Sequence, residues 1–133
     1  FWNGEQKRPM VITQLIDTRT PAVAGHHRFF PQYPLSMSAE EVIAIESANF
    51  SRYRWVGDAF PYRMMEFGPG SLSAYMGAAL NVSEDTVWFE PTAKSLAEIT
   101  THIDTSSTWY RRIHAILDAA LNAWGGAKKS AKS

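Results

Sequence analysis

The chain has 133 residues, 45% of them hydrophobic, and its 13 Lys plus Arg are matched by 13 Asp plus Glu. That balance offers no electrostatic footprint for nucleic acid or an anionic membrane, and the apolar content lies far from the disordered regime. The lack of cysteine excludes disulfides, thiolate nucleophiles and cysteine-ligated metals within this chain.

In chain order, Pro9 precedes Val11, Ile12, Leu15 and Ile16, which predicts a first strand starting near Met10. Its apolar residues do not alternate cleanly, the pattern of a strand covered on both faces. From Asp17 to Met37, Pro21, Gly25, Pro31 and Pro34 rule out a long regular element. A loop of that length is often functional. Ser38-Ala39-Glu40-Glu41 has the spacing of a capping box, with the Ser38 hydroxyl on the Glu41 amide and the Glu41 carboxylate reaching back. The helix it starts is expected to carry an apolar stripe of Val42, Ile45, Ala48 and Phe50 and to end near Tyr53.

Trp55 to Pro61 reads as a strand or an edge closed by proline, and Tyr62 to Phe67 continues extended to the turn Gly68-Pro69-Gly70. Gly70 opens a short helix that ends at Gly77. Thr86-Val87-Trp88-Phe89, β-branched and aromatic, predicts a strand stopped by Pro91. Ser95 to Ile103 fits a short helix or an extended segment. A final helix capped by Ser106 or Ser107 places Trp109, Ile113, Ile116, Leu117, Ala120, Leu121 and Trp124 on one face, and Gly125-Gly126 ends it. Strands alternating with helices argue for an α/β architecture. The ends, Phe1-Trp2-Asn3-Gly4-Glu5 and the Lys/Ser tail 127–133, read as a piece of a longer chain or a gene product cut short.

Several residue groups allow two readings. Asp58, after a glycine and near a strand end, is either a catalytic carboxylate or a turn aspartate bonded to nearby amides. Gly68 and Gly70 either admit backbone close to a ligand or turn a strand into a helix. Phe67, Trp88 and Phe89 are expected in the core, with one ring available to face a pocket. His26, His27 and Arg28 either grip an anionic substrate or are solvated. As neighbours in extended chain the two histidines diverge, so they make a poor chelating pair and no metal site is expected. His102 stands isolated, and His114 borders the apolar face of the last helix. Arg52, Arg54 and Arg63 fit carboxylate binding or helix-end placement, and Arg111-Arg112 reads as a solvated face.

Gly57-Asp58-Ala59-Phe60-Pro61, "FGPGSLSAYMGA" and "EDTVWFEP" resemble the uroporphyrinogen decarboxylase-like superfamily, which includes corrinoid-dependent methyltransferases. "FWNGE" near the start is similar to the divergent decarboxylase-like branch. The resemblance implies a partial (β/α)8 TIM barrel, with residues 1–126 as its N-terminal part and 127–133 as a basic tail. A complete barrel needs about 250 residues, so the rest would come from elsewhere. It implies tetrapyrrole decarboxylation or corrinoid-linked methyl transfer in the intact protein, without a cofactor in the decarboxylases and with a corrinoid in the methyltransferase branch. Asp58 is then the catalytic group beside the protonated ring, and His26, His27, Arg28, Phe67, Gly68 and Gly70 contact substrate. Where true decarboxylases carry "MRQAGRY" after the first strand, this chain has Thr13 to Arg19. The expected partners are a tetrapyrrole or methyl-donor substrate and the remaining barrel half or a second copy, in the cytoplasm, with no nucleic acid and no membrane. The alternative is a non-catalytic truncated chain, or a self-contained small α/β domain, acting through protein association.

Overall fold

The computed structural model describes residues 4–5, 7–68, 70–91, 93–99 and 102–125. The basic tail, Phe1 to Asn3, Pro69 and Gly126 lie outside the described residues. The fold is mixed α/β, with strands β1 (Ile12–Ile16), β2 (Tyr53–Gly57), β3 (Ala79–Val82) and β4 (Val87–Glu90) and helices α1 (Ala39–Phe50), α2 (Ser71–Tyr75) and α3 (Thr108–Trp124). Two compact units are present: one takes in the described residues of 1–26 and 45–64, the other those of 27–44 and 65–133. No helix is long and apolar enough to cross a membrane among the described residues.

In the first unit, β1 and β2 pair antiparallel, Ile12 opposite Gly57 through Ile16 opposite Tyr53. The Asp17 amide donates to Arg52 O at 3.0 Å and the Asp58 amide to Val11 O at 2.7 Å, extending the ladder at both ends. Antiparallel alternation then turns the backbone groups of Thr13 and Leu15 toward β2 and those of Ile12, Gln14 and Ile16 outward. The expectation of a doubly covered β1 is corrected. A two-stranded ladder has no second layer of its own, and Ile12, Leu15 and Ile16 are 53%, 50% and 45% exposed. Trp55 packs with Phe50, Tyr53 and Tyr62 at ring separations of 6.0–6.4 Å.

α1 begins as its capping box dictates: the Ser38 amide donates to Glu41 Oε2 at 2.7 Å and the Glu41 amide to Ser38 Oγ at 3.1 Å. It ends at Phe50, earlier than expected, because Tyr53 is already paired in β2. Its buried stripe also differs. Ala39, Val42, Ile43, Glu46 and Asn49 are buried while Ala48 is exposed, so the inward face carries two polar residues.

In the second unit the core is aromatic. The long loop contributes a 3-10 turn, Phe30–Gln32, and buries Phe29, Phe30 and Tyr33. The Gln32 side chain accepts from the Phe29 amide at 2.8 Å and donates to Ser83 O and Glu84 O at 2.8 and 2.7 Å. β3 and β4 form a hairpin, Ala79 opposite Glu90 through Val82 opposite Val87, with the Ser83 amide and hydroxyl donating to Thr86 O across the turn. The β3 half was not anticipated. Among the described residues of 95–103 the regular part is a 3-10 turn, Leu96–Glu98.

Ser107 caps α3 by accepting from the Tyr110 amide at 3.2 Å, a contact worth about 1 kcal/mol. Ile113, Ile116, Ala119 and Ala120 are its buried face; Leu121, expected inside, is 67% exposed. The Gly125 cap is right-handed, with φ −72°, rather than the left-handed ending typical of glycine. Arg112, expected in solvent, donates to Met37 O at 2.7 Å and Pro34 O at 3.2 Å. It satisfies carbonyls of a turn rich in proline, which has few backbone donors of its own.

Candidate functional site

Asp58 follows directly on β2. Its Oδ2 accepts from Arg8 Nη1 at 2.7 Å and from the Val11 amide at 3.0 Å, and its Oδ1 accepts from Arg8 Nη2 at 2.7 Å. The Arg8 fork and the Val11 amide hold the Asp58 carboxyl down to about 2, so it is a carboxylate at any ordinary pH. Asp58 braces a backbone amide as a turn aspartate does, and its negative charge is paired with an exposed guanidinium.

Also in the first unit, Glu46 is fully buried in α1 and takes Arg63 at two points, Nε to Oε2 at 3.0 Å and Nη2 to Oε1 at 3.1 Å. His26 Nε2 lies 3.4 Å from Glu46 Oε2 and 3.1 Å from Asn49 Nδ2. The neutral ring can accept from the amide; a protonated ring donates to the carboxylate. Asn49 Oδ1 accepts from Arg52 Nη1 at 3.4 Å, and Arg52 Nη2 donates to Thr20 O at 3.3 Å. The group is a network around a dry carboxylate, from which His26, 27% exposed, and Arg63, 17% exposed, reach solvent.

The neighbours of His26 take other partners. The His27 amide donates to the Tyr33 hydroxyl at 3.2 Å, and its ring meets the Tyr33 ring edge-on at 4.9 Å. The Arg28 guanidinium lies 5.0 Å from the centre of the Phe29 ring, within cation–π range. The three consecutive residues thus point to three different sets of contacts.

Phe67 is fully buried and meets Trp109 and Tyr75 edge-on at 5.7 and 6.1 Å. Gly68 has φ +89°, which a side chain resists, and a Cβ there would stand 3.3 Å from Val87 Cβ. Gly70 lies so close to Phe89 that an added Cβ would sit 2.7 Å from Cδ2 of that ring. Both glycines serve close packing against β4. Phe89 also lines an open cleft of about 230 Å³ together with Ser73, Met76, Ala78, Glu98 and Ile99. This is below the roughly 300–1,000 Å³ of a pocket for a drug-sized ligand, so a tetrapyrrole, larger still, does not fit inside it.

Among the described residues no three His, Asp or Glu side chains are placed to hold a metal ion. Comparison of the chain with models of protein families, with curated proteins and with solved structures gave no match. Sequence reasoning singled out Asp58 and His26 but missed their partners. Arg8 carries no local motif. Glu46 and Asn49 had a usable signal: they stand four and seven residues after the buried Val42, on the same helical face.

Proposed function

We propose that residues 1–126 are the N-terminal part of a uroporphyrinogen decarboxylase-like enzyme. In the intact protein it acts on a carboxylated tetrapyrrole or on a corrinoid-linked methyl group. The observation that carries this reading is the text from Gly57 to Pro91, which resembles that superfamily and includes Asp58. The Arg8–Asp58 pair supports it chemically. An acetate-bearing pyrrole offers a carboxylate for the guanidinium and a neutral ring N–H donor for the carboxylate, so substrate can bond to both partners. Protonation of the ring makes a cation beside Asp58. The C–CO₂ bond then breaks, its electron pair neutralises the ring, and carbon dioxide leaves. The barrel asks for a parallel ladder, which neither antiparallel pair supplies; on this reading that ladder forms with strands beyond these residues.

The test is turnover of uroporphyrinogen III, and demethylation of methylcobalamin, by the complete polypeptide that includes these residues. Activity in one assay is expected, with Asp58→Asn lowering kcat at least about a hundredfold while the melting temperature shows the variant folded. Inactivity in both assays, or a folded Asp58→Asn with normal kcat, overturns the reading. Residues 1–133 alone are expected to be inactive.

A second reading, protein association, is favoured by the outer edge of β1. Ile12, Gln14 and Ile16 turn their backbone groups away from β2, and the strand carries no charge to discourage pairing. Sedimentation of the chain should then show assembly that Ile12→Lys with Ile16→Lys abolishes; a monomeric parent chain sinks this reading.

A further inference from the structure

The cleft beside Phe89 is built from two kinds of surface. Met76, Ala78, Phe89, Pro91 and Ile99 supply an apolar wall, with the ring of Phe89 held in place by the close approach of Gly70. Ser73 and Glu98 supply the polar groups. Glu98 Oε2 accepts the Lys94 amide at 2.9 Å, which anchors the carboxylate, while Oε1 and the Ser73 hydroxyl have no hydrogen-bond partner among the described residues. Among the described residues no cationic side chain lines the cleft. One carboxylate, one aromatic ring and one thioether, with no competing cation, are complementary to positive charge on a small apolar body.

We propose that this cleft binds a fragment-sized organic ammonium ion, with the cation at Glu98 and its hydrocarbon or aryl body against Phe89 and Met76. The volume of about 230 Å³ limits the ligand to a few carbons or a single ring. Charge complementarity selects an amine over an acid or a neutral isostere. The site is independent of Asp58 and of the decarboxylase-like reading.

The experiment titrates the 133-residue chain, labelled with ¹³C-methyl methionine, with benzylamine and with benzyl alcohol. The Met76 signal is assigned by its loss in Met76→Leu. The expected result is saturable movement of the Met76 methyl by benzylamine, with affinity about fivefold or more above benzyl alcohol. Glu98→Gln, an exposed substitution that leaves the fold intact, should remove the preference for the amine. Three results overturn the proposal: no Met76 shift at about 10 mM benzylamine, equal binding of the two ligands, or an unchanged preference in folded Glu98→Gln.

Discussion

Arg63 grips Glu46 at both carboxylate oxygens, 3.0 and 3.1 Å away, with the carboxylate fully buried and the guanidinium side chain 17% exposed. A helix normally turns a glutamate outward. Here the stripe that begins with Val42 continues through Glu46, so an ion pair stands where a hydrophobe is ordinary.

A buried pair of this kind is costly to break from one side only. Arg63→Leu should lower stability by about 3–5 kcal/mol, since it leaves a buried carboxylate without its guanidinium. Glu46→Leu with Arg63→Leu should recover most of that loss, because two hydrophobes carry no desolvation debt. Urea denaturation of the three proteins decides it; a loss below about 1 kcal/mol for Arg63→Leu would place the pair among weak surface contacts.

Asp58 sets an acid dependence. Its carboxyl is lowered from an ordinary 3.8 to about 2, so the contribution is complete above about pH 4 and disappears as pH falls toward 2. The stability difference between the parent chain and Asp58→Asn should be constant at neutral pH and shrink through that window. Denaturation midpoints at a series of pH values measure it. A gap that stays level down to pH 2 contradicts the assignment of Arg8 as its partner.

Gly70 has a negative φ of −135°, so its requirement is spatial. Gly70→Ala puts a methyl 2.7 Å from Phe89 Cδ2 and should cost about 1–3 kcal/mol. In a Phe89→Leu background the cost should fall, since the ring is gone. Thermal melts of the four proteins close the cycle, and additive effects would show that the ring is not what excludes the methyl.

Local chemistry was legible where a few neighbouring residues decide the outcome. Ser38 and Glu41 announce the start of α1, Pro91 ends β4, and the periodic Ile113 and Ile116 mark the buried face of α3. What escaped depends on partners distant in sequence. Ala79-Leu80-Asn81-Val82 has little strand character of its own and becomes β3 through pairing with β4. The exposure of β1 follows from the number of strands beside it, which no stretch of sequence states. In the candidate site Asp58 could be picked by its position, yet Arg8 lies fifty residues away. Glu46 was passed over because charge argues for the surface until its cation is known.

Arg112 reaches carbonyls 75 and 78 residues earlier in the chain. On a ribosome the Pro34–Met37 turn emerges first and waits for the helix that completes it. At about 5–20 residues per second this interval lasts roughly 4–15 s, during which the Pro34 and Met37 carbonyls lack their guanidinium donor. The turn is therefore expected to reach its final hydrogen bonding only when α3 clears the exit tunnel.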